Sequence, residues 1–194
     1  KFISVRDSHT YDYVKNLYDV KMDRHLDPVL VGNLYKRKHK PVKLKNYMIV
    51  YAYGNRIRDR REIEAIKDYA KKNKLQTIAV GAPQFWCDKF LVVSPLEVLD
   101  YFYYADCVVT DTFHGSIFSI INNCKFATIL RKSNENKLGG LLRELGLEDR
   151  IVDSVDNLSE ILEKNIDYAK ISTLLEKERV RTREYLTEQI ESIK

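Results

Sequence analysis

The 194-residue chain has three cysteines, and Cys87, Cys107 and Cys124 share no spacing that ligates a metal. There is no C-x-x-C and no H-E-x-x-H, which weighs against structural zinc and the zinc-protease class. A G-x-G-x-x-G fingerprint and a Walker loop are missing too, so nicotinamide cofactors and nucleoside triphosphate hydrolysis are disfavoured. No stretch approaches the roughly 20 apolar residues of a membrane helix. Charge of a single sign is also lacking: 33 basic residues face 28 acidic ones, for a net +5. That balance favours anionic ligands slightly and does not mark a nucleic-acid protein. An initiator Met is absent, and Lys1–Arg6 reads as a core strand, so the chain is expected to be a piece of something longer.

At 44% hydrophobic, the sequence is rich enough for a full core. Cys107 and Cys124 lie in apolar runs, which predicts buried free thiols in a reducing compartment. Phe2–Val5 alternates as a strand. Ser8–Tyr18 places Tyr11, Val14, Leu17 and Tyr18 on one helical face. Asp27–Val31 reads as a turn entering a short strand, and Lys36–Pro41 as a solvated basic connection. Strands follow at Tyr47–Tyr53, Thr77–Val80, Cys107–Thr110 and Phe126–Leu130. Between them, helices are expected at Asp59–Lys72, from Ser94 to Tyr104, and at Gly115–Asn123. Ser94-Pro95-Leu96-Glu97 carries the capping-box and first-turn proline signals. Beyond the last of those strands the pattern gives Leu138–Leu145 closed by Gly146, a short strand at Ile151-Val152, and helices at Asn157–Tyr168 and Ile171–Ile193. Strand–helix alternation with short links predicts a Rossmann-like parallel sheet covered on both faces. Residues 1–170 would form it, and 171–194 a long terminal helix of the same single domain.

Ligands of open α/β sheets bind beyond the carboxyl ends of the strands. Thr110–Ser116 is such a strand-to-helix turn, with Asp111, Thr112, His114 and Ser116 within seven residues. Gly115 lets backbone approach a ligand, and the helix start offers N–H groups to an anion. Of four histidines only His114 has this setting, and imidazole serves as acid or base near neutral pH. A purely structural account fits the same residues, with Asp111 or Thr112 as helix cap and His114 hydrogen-bonded. Arg131–Lys137, after the next strand, is the second candidate; Arg131 there can grip a carboxylate or phosphate with its fork. Ser4–Asp7 and the turn Gly54-Asn55-Arg56 follow. Thirteen tyrosines allow a sugar-stacking platform, although most are expected in the core.

The run Val108-Val109-Thr110-Asp111-Thr112-Phe113-His114-Gly115-Ser116-Ile117-Phe118-Ser119-Ile120 resembles the signature of the polysaccharide pyruvyl transferase family. Lys125-Phe126, Arg131, Lys137-Leu138 and Leu141–Leu147 resemble its tail, and Ile3–Asp7 with Asp27–Leu30 its opening. The resemblance covers Lys1 to Arg150. It implies the C-terminal half of a two-domain enzyme similar to glycosyltransferases of the B type, with the N-terminal domain as missing partner. The implied reaction moves a pyruvyl group from phosphoenolpyruvate to two sugar hydroxyls of a glycan or lipid-linked acceptor in bacterial exopolysaccharide biosynthesis. A cytoplasmic location, or one at the inner face of the membrane, goes with it.

On this resemblance His114 is the acid/base, with Asp111 beside it. Thr112, Gly115, Ser116, Arg131, Lys137 and Arg6 contact the donor. No metal or cofactor is required. Many family members carry Arg two residues before the His, where this chain has Thr112, which puts the donor contact in question. Two other readings stay open: a glycosyltransferase using a nucleotide-sugar donor, and a non-catalytic binding domain of a glycan-assembly complex.

Overall fold

The computed structural model describes residues 3–192, so Phe2 at the first strand and Ile193 on the terminal stripe lie outside the described residues. The chain runs β1 (Ile3–Val5), α1 (Ser8–Leu17), β2 (Met22–Arg24), α2 (Pro28–Val31), β3 (Tyr47–Tyr51), α3 (Arg60–Lys72) and β4 (Gln76–Val80). It continues through β5 (Lys89–Leu91), α4 (Pro95–Tyr104), β6 (Cys107–Thr110), α5 (Phe113–Ile121) and β7 (Phe126–Thr128). Last come α6 (Gly140–Glu144), α7 (Leu158–Glu163) and α8 (Tyr168–Glu191).

The main sheet is five-stranded and wholly parallel, in the order β5-β4-β3-β6-β7. Its strands are continuous apolar runs because both faces are covered. On β3, Tyr47 and Ile49 point to one core, while Met48 and Val50 point to the other. The first core packs against α4, α5, α6 and the start of α8 through Phe102, Ile117, Leu142 and Ile171. The second packs against α3 and α7 through Ile66, Tyr69 and Leu162. This is the doubly covered α/β sheet that the alternation predicts.

The chain leaves β3 toward β4 and β5 on one side, and returns to β6 and β7 on the other. Adjacent turns at the carboxyl edge of β3 and β6 therefore diverge and leave a crevice between them. Tyr51 pairs with Thr110 at that edge, so the turns after β3 and β6 start side by side.

Several expected elements differ. The opening strand is not in the main sheet: among the described residues β1 pairs with β2, which has no periodic signal of its own. Asp27–Val31 is a helix start rather than a strand. The Asp27 carboxylate accepts the Val29 N–H, and Pro28 takes a first-turn position. Helix α1 forms as expected, but Leu17 and Tyr18 of its apolar face are exposed. Ile151 makes a single bridge to Thr128 and not a strand. The capping box at Ser94 and Glu97 is present in both directions. Gly146 closes α6 with a left-handed φ of 66°. Cys107 and Cys124 are free and buried, and Cys87 is half-buried.

The basic run is not simply solvated. Arg37 grips Asp100 of α4 through both carboxylate oxygens, and the Lys40 N–H donates to the same group at 3.0 Å. His39 stacks on Tyr103 with ring centres 4.2 Å apart.

Candidate functional site

Helix α5 begins directly at the end of β6, and a ladder of hydroxyls fixes the junction. Thr110 donates its hydroxyl to the Tyr51 carbonyl at 2.6 Å and accepts the Thr112 N–H at 3.0 Å. Thr112 is the helix cap: its Oγ1 accepts the Gly115 N–H at 2.9 Å. Ser116 is fully buried and lies 3.0 Å from the Thr128 hydroxyl on β7. The side chains of Thr112 and Ser116 are thus turned inward, as half of the structural account anticipates. Gly115 is required by packing within the protein. A Cβ there would sit 2.1 Å from Thr110 Oγ1 and 2.8 Å from Thr110 Cβ. The close approach that this glycine permits is between helix and strand.

Asp111 is completely buried beneath the turn. Its Oδ2 lies 3.2 Å from Arg56 Nε and 3.6 Å from Arg131 Nε. Neither carboxylate oxygen has a hydrogen-bond partner among the described residues. Burial lifts the carboxyl above its ordinary range, while the positive charges of Arg56 and Arg131 pull it back down. Asp111 is therefore a counter-ion between two strand-end turns, and its ion pairs are with arginines rather than with His114. The Gly54-Asn55-Arg56 turn enters the site through this contact.

Arg131 is at the expected strand end, but its fork points elsewhere. Nη1 and Nη2 donate to the two Glu62 oxygens at 2.7 and 2.8 Å. The expected bidentate grip on a ligand is occupied by a carboxylate of α3, 69 residues away in sequence. Asn134 donates to the Asp111 carbonyl at 2.7 Å and accepts the Arg131 N–H at 2.9 Å, tying the turn after β7 to the turn after β6.

The first two residues of α5 face outward more than their neighbours. Phe113 and His114 are half-buried, and the His114 ring rests against Phe113 and Phe118 with centres 5.6 and 5.9 Å away. Two cations converge on Phe113. The Lys137 ammonium is 4.3 Å from the ring centre, and the Arg6 guanidinium is 5.4 Å away. Arg6 also donates to Asp27 at 2.7 Å. Burial holds the Lys137 ammonium below its usual range, and the nearby positive Arg6 adds to the effect. Arg6, Lys137 and the start of α5 thus come together from three separate segments. Phe113, which joins them, is not among the expected site residues, and neither is Glu62.

This arrangement suits a small anion. The N-terminus of α5 offers partial positive charge, two cations flank it, and an imidazole stands on the first turn. Among the described residues, no group of three His, Cys, Asp or Glu could hold a metal ion. Among the described residues, no helix is long and apolar enough to cross a membrane.

A family model described as polysaccharide pyruvyl transferase matches residues 1–133. The matched region holds β1, the Asp27 cap, the turn after β3, the whole Asp111–Ser116 turn and Arg131. Lys137 and the Leu141–Leu147 tail lie beyond it. No curated protein and no solved structure matches the chain.

Proposed function

The chain belongs to the polysaccharide pyruvyl transferase family, and from that premise we propose that it transfers the pyruvyl group of phosphoenolpyruvate to two hydroxyls of a sugar in a cell-surface polysaccharide precursor. The observation that carries the proposal is the convergence of Arg6, Lys137 and His114 on the first turn of α5. The donor has a carboxylate and a phosphate, and what supports the reading is that two cations flank the ring of Phe113, the residue before His114.

In the proposed reaction a proton adds to the methylene carbon of the donor, which leaves its central carbon electrophilic. One sugar hydroxyl attacks that carbon. The second then displaces the phosphate, and the ketal closes with release of inorganic phosphate. Each hydroxyl loses its proton as its C–O bond forms, and His114 is the group we assign to proton transfer. Arg6 and Lys137 bind the donor's charged groups. Thr112, Gly115 and Ser116 act through the placement of α5, whose N-terminal dipole faces the donor. Asp111 positions Arg56 and Arg131 at the back of the crevice. Thr112 stands where many family members have Arg, and here Arg6 and Lys137 supply the charge from other segments.

We further propose that the chain is the C-terminal half of a pair similar to B-type glycosyltransferases. The assay therefore uses the full-length protein with phosphoenolpyruvate and a panel of glycan acceptors. The expected result is pyruvyl ketal with equimolar phosphate, and a loss of about 10²–10⁴-fold in His114→Ala. Turnover unchanged in His114→Ala would remove the assignment. Binding of a nucleoside diphosphate sugar without any response to phosphoenolpyruvate would instead favour a glycosyl donor.

A further inference from the structure

Residues 28–58 contain eight Lys and Arg residues and no Asp or Glu, and five of those cations are the lysines from Lys36 to Lys45. We infer that this run, together with the exposed rings of Tyr103 and Tyr104, is a docking surface for an anionic phospholipid bilayer, independent of the transfer reaction proposed above.

The charge is free to act on a partner. Lys36, Lys38, Lys40, Lys43 and Lys45 are all exposed, and none forms an ion pair among the described residues. Arg37 differs, because it is locked onto Asp100. The carboxylates along and just after α4 are occupied within the fold. Asp100 accepts from Arg37 and the Lys40 N–H, Glu97 from the Ser94 N–H, and Asp106 from the Tyr47 N–H. Beyond Lys40, Val42 and Leu44 pack against the core under α4 and α5, while Lys43 and Lys45 between and after them are exposed. That alternation holds both charges outward.

The surroundings favour a bilayer over a nucleic acid. Tyr103 and Tyr104, at the end of α4, are 51% and 41% exposed. Lys38 and His39 meet them around a shallow hollow of about 410 Å³. A phenol ring suits the headgroup level of a membrane, where its body is buried and its hydroxyl stays wet. Each lysine close to an anionic leaflet strengthens binding by about fivefold. Nucleic acid instead calls on forked guanidinium groups and open ring faces. Here the arginine of the run grips Asp100, and His39 already covers a face of Tyr103. Lysine point charges match the diffuse field of lipid headgroups.

Position agrees with this use. The hollow takes in Asn122, the cap at the carboxyl end of α5, whereas His114 stands on the first turn, about 12 Å away along the axis. A membrane held at this surface leaves the crevice between β3 and β6 open.

The test is sedimentation of the full-length protein with vesicles of phosphatidylcholine, alone or with about one third phosphatidylglycerol. Binding is expected to the anionic vesicles and not to the neutral ones, weakened by about tenfold or more in about 0.5 M salt. The triple variant Lys38→Gln, Lys43→Gln, Lys45→Gln should bind about 10²-fold more weakly. A control of equal net charge, Lys67→Gln, Lys71→Gln, Lys72→Gln on α3, should lose less than about fivefold. Tyr104→Trp should add a fluorescence blue shift that appears only with anionic vesicles. The inference is overturned if anionic vesicles are not bound, if the first triple variant binds like the parent, or if the α3 control loses as much. Short single-stranded RNA bound at the same salt, with vesicles left unbound, also overturns it and assigns the run to nucleic acid.

Discussion

The carboxylate of Asp111 stands 3.2 Å from the guanidinium of Arg56, where the turns after β3 and β6 diverge. One buried charge thereby joins the two turns that define the site. Because α5 starts two residues later, the position of its first turn depends on that contact.

Replacing Asp111 with Asn is expected to separate stability from function. The folded protein keeps the Asp111 proton over a pH range in which the unfolded chain has released it. Its contribution to stability is therefore lost as pH rises from the ordinary carboxylate range through the raised value. Asn carries no such loss, so Asp111→Asn should be at least as stable as the parent at neutral pH. Turnover should fall by about tenfold or more as Arg56 and Arg131 lose their counter-ion. Urea unfolding at several pH values and the ketal assay check the two halves.

A single methyl group at Gly115 should be poorly tolerated. The added Cβ meets the Thr110 hydroxyl and Cβ, a short β-branched side chain held on a strand. The expected loss for Gly115→Ala is about 1–3 kcal/mol. Calorimetry should show a lower Tm, by about 2–4 °C for each kcal/mol lost.

Acid sensitivity should trace in part to Asp100. The Arg37 guanidinium beside it pulls its carboxyl down to about 2, against the cost of burial. A depressed carboxyl stabilises the fold above its unfolded value, and that stabilisation disappears as pH falls from about 3.9 through about 2. Asp100→Asn should flatten the acid limb of the stability profile in this window. An unchanged profile would assign acid unfolding to other carboxylates.

Removing charge beside Phe113 should act on donor affinity before it acts on rate. Lys137→Met and Arg6→Met are each expected to weaken phosphoenolpyruvate binding by about tenfold, with a smaller effect on kcat. The two cations flank one ring, so their effects should not add in the double variant. Titration calorimetry of the three proteins measures this.

The main sheet was readable because β3, β4, β6 and β7 are apolar runs bounded by turn residues. Strand β5 gives no such run: it is three residues long at the sheet edge, with Lys89 and Phe90 exposed. The end of α7 was equally hidden. Asn157–Tyr168 reads as one helix, but α7 stops at Glu163. Buried Arg150 donates to the Ile161 and Lys164 carbonyls and so satisfies that terminus from outside the helix. In the site, Asp111–Ser116 was visible because its residues are contiguous. The pairing of Glu62 with Arg131 was not, since 69 residues separate two charges that look equally free in sequence. Phe113 reads as an ordinary apolar residue until Arg6 and Lys137 arrive from distant segments.

The contact between Gly115 and Thr110 has a further consequence, for the entropy of binding. Helix α5 is clamped to β6 by a hydroxyl ladder that leaves no room even for a methyl group. Its first turn is consequently ordered when the chain folds, before any ligand arrives. On the function proposed above, an anion docking there meets a preorganised helix terminus, and the conformational cost of binding falls on the ligand and on the long side chains of Arg6 and Lys137.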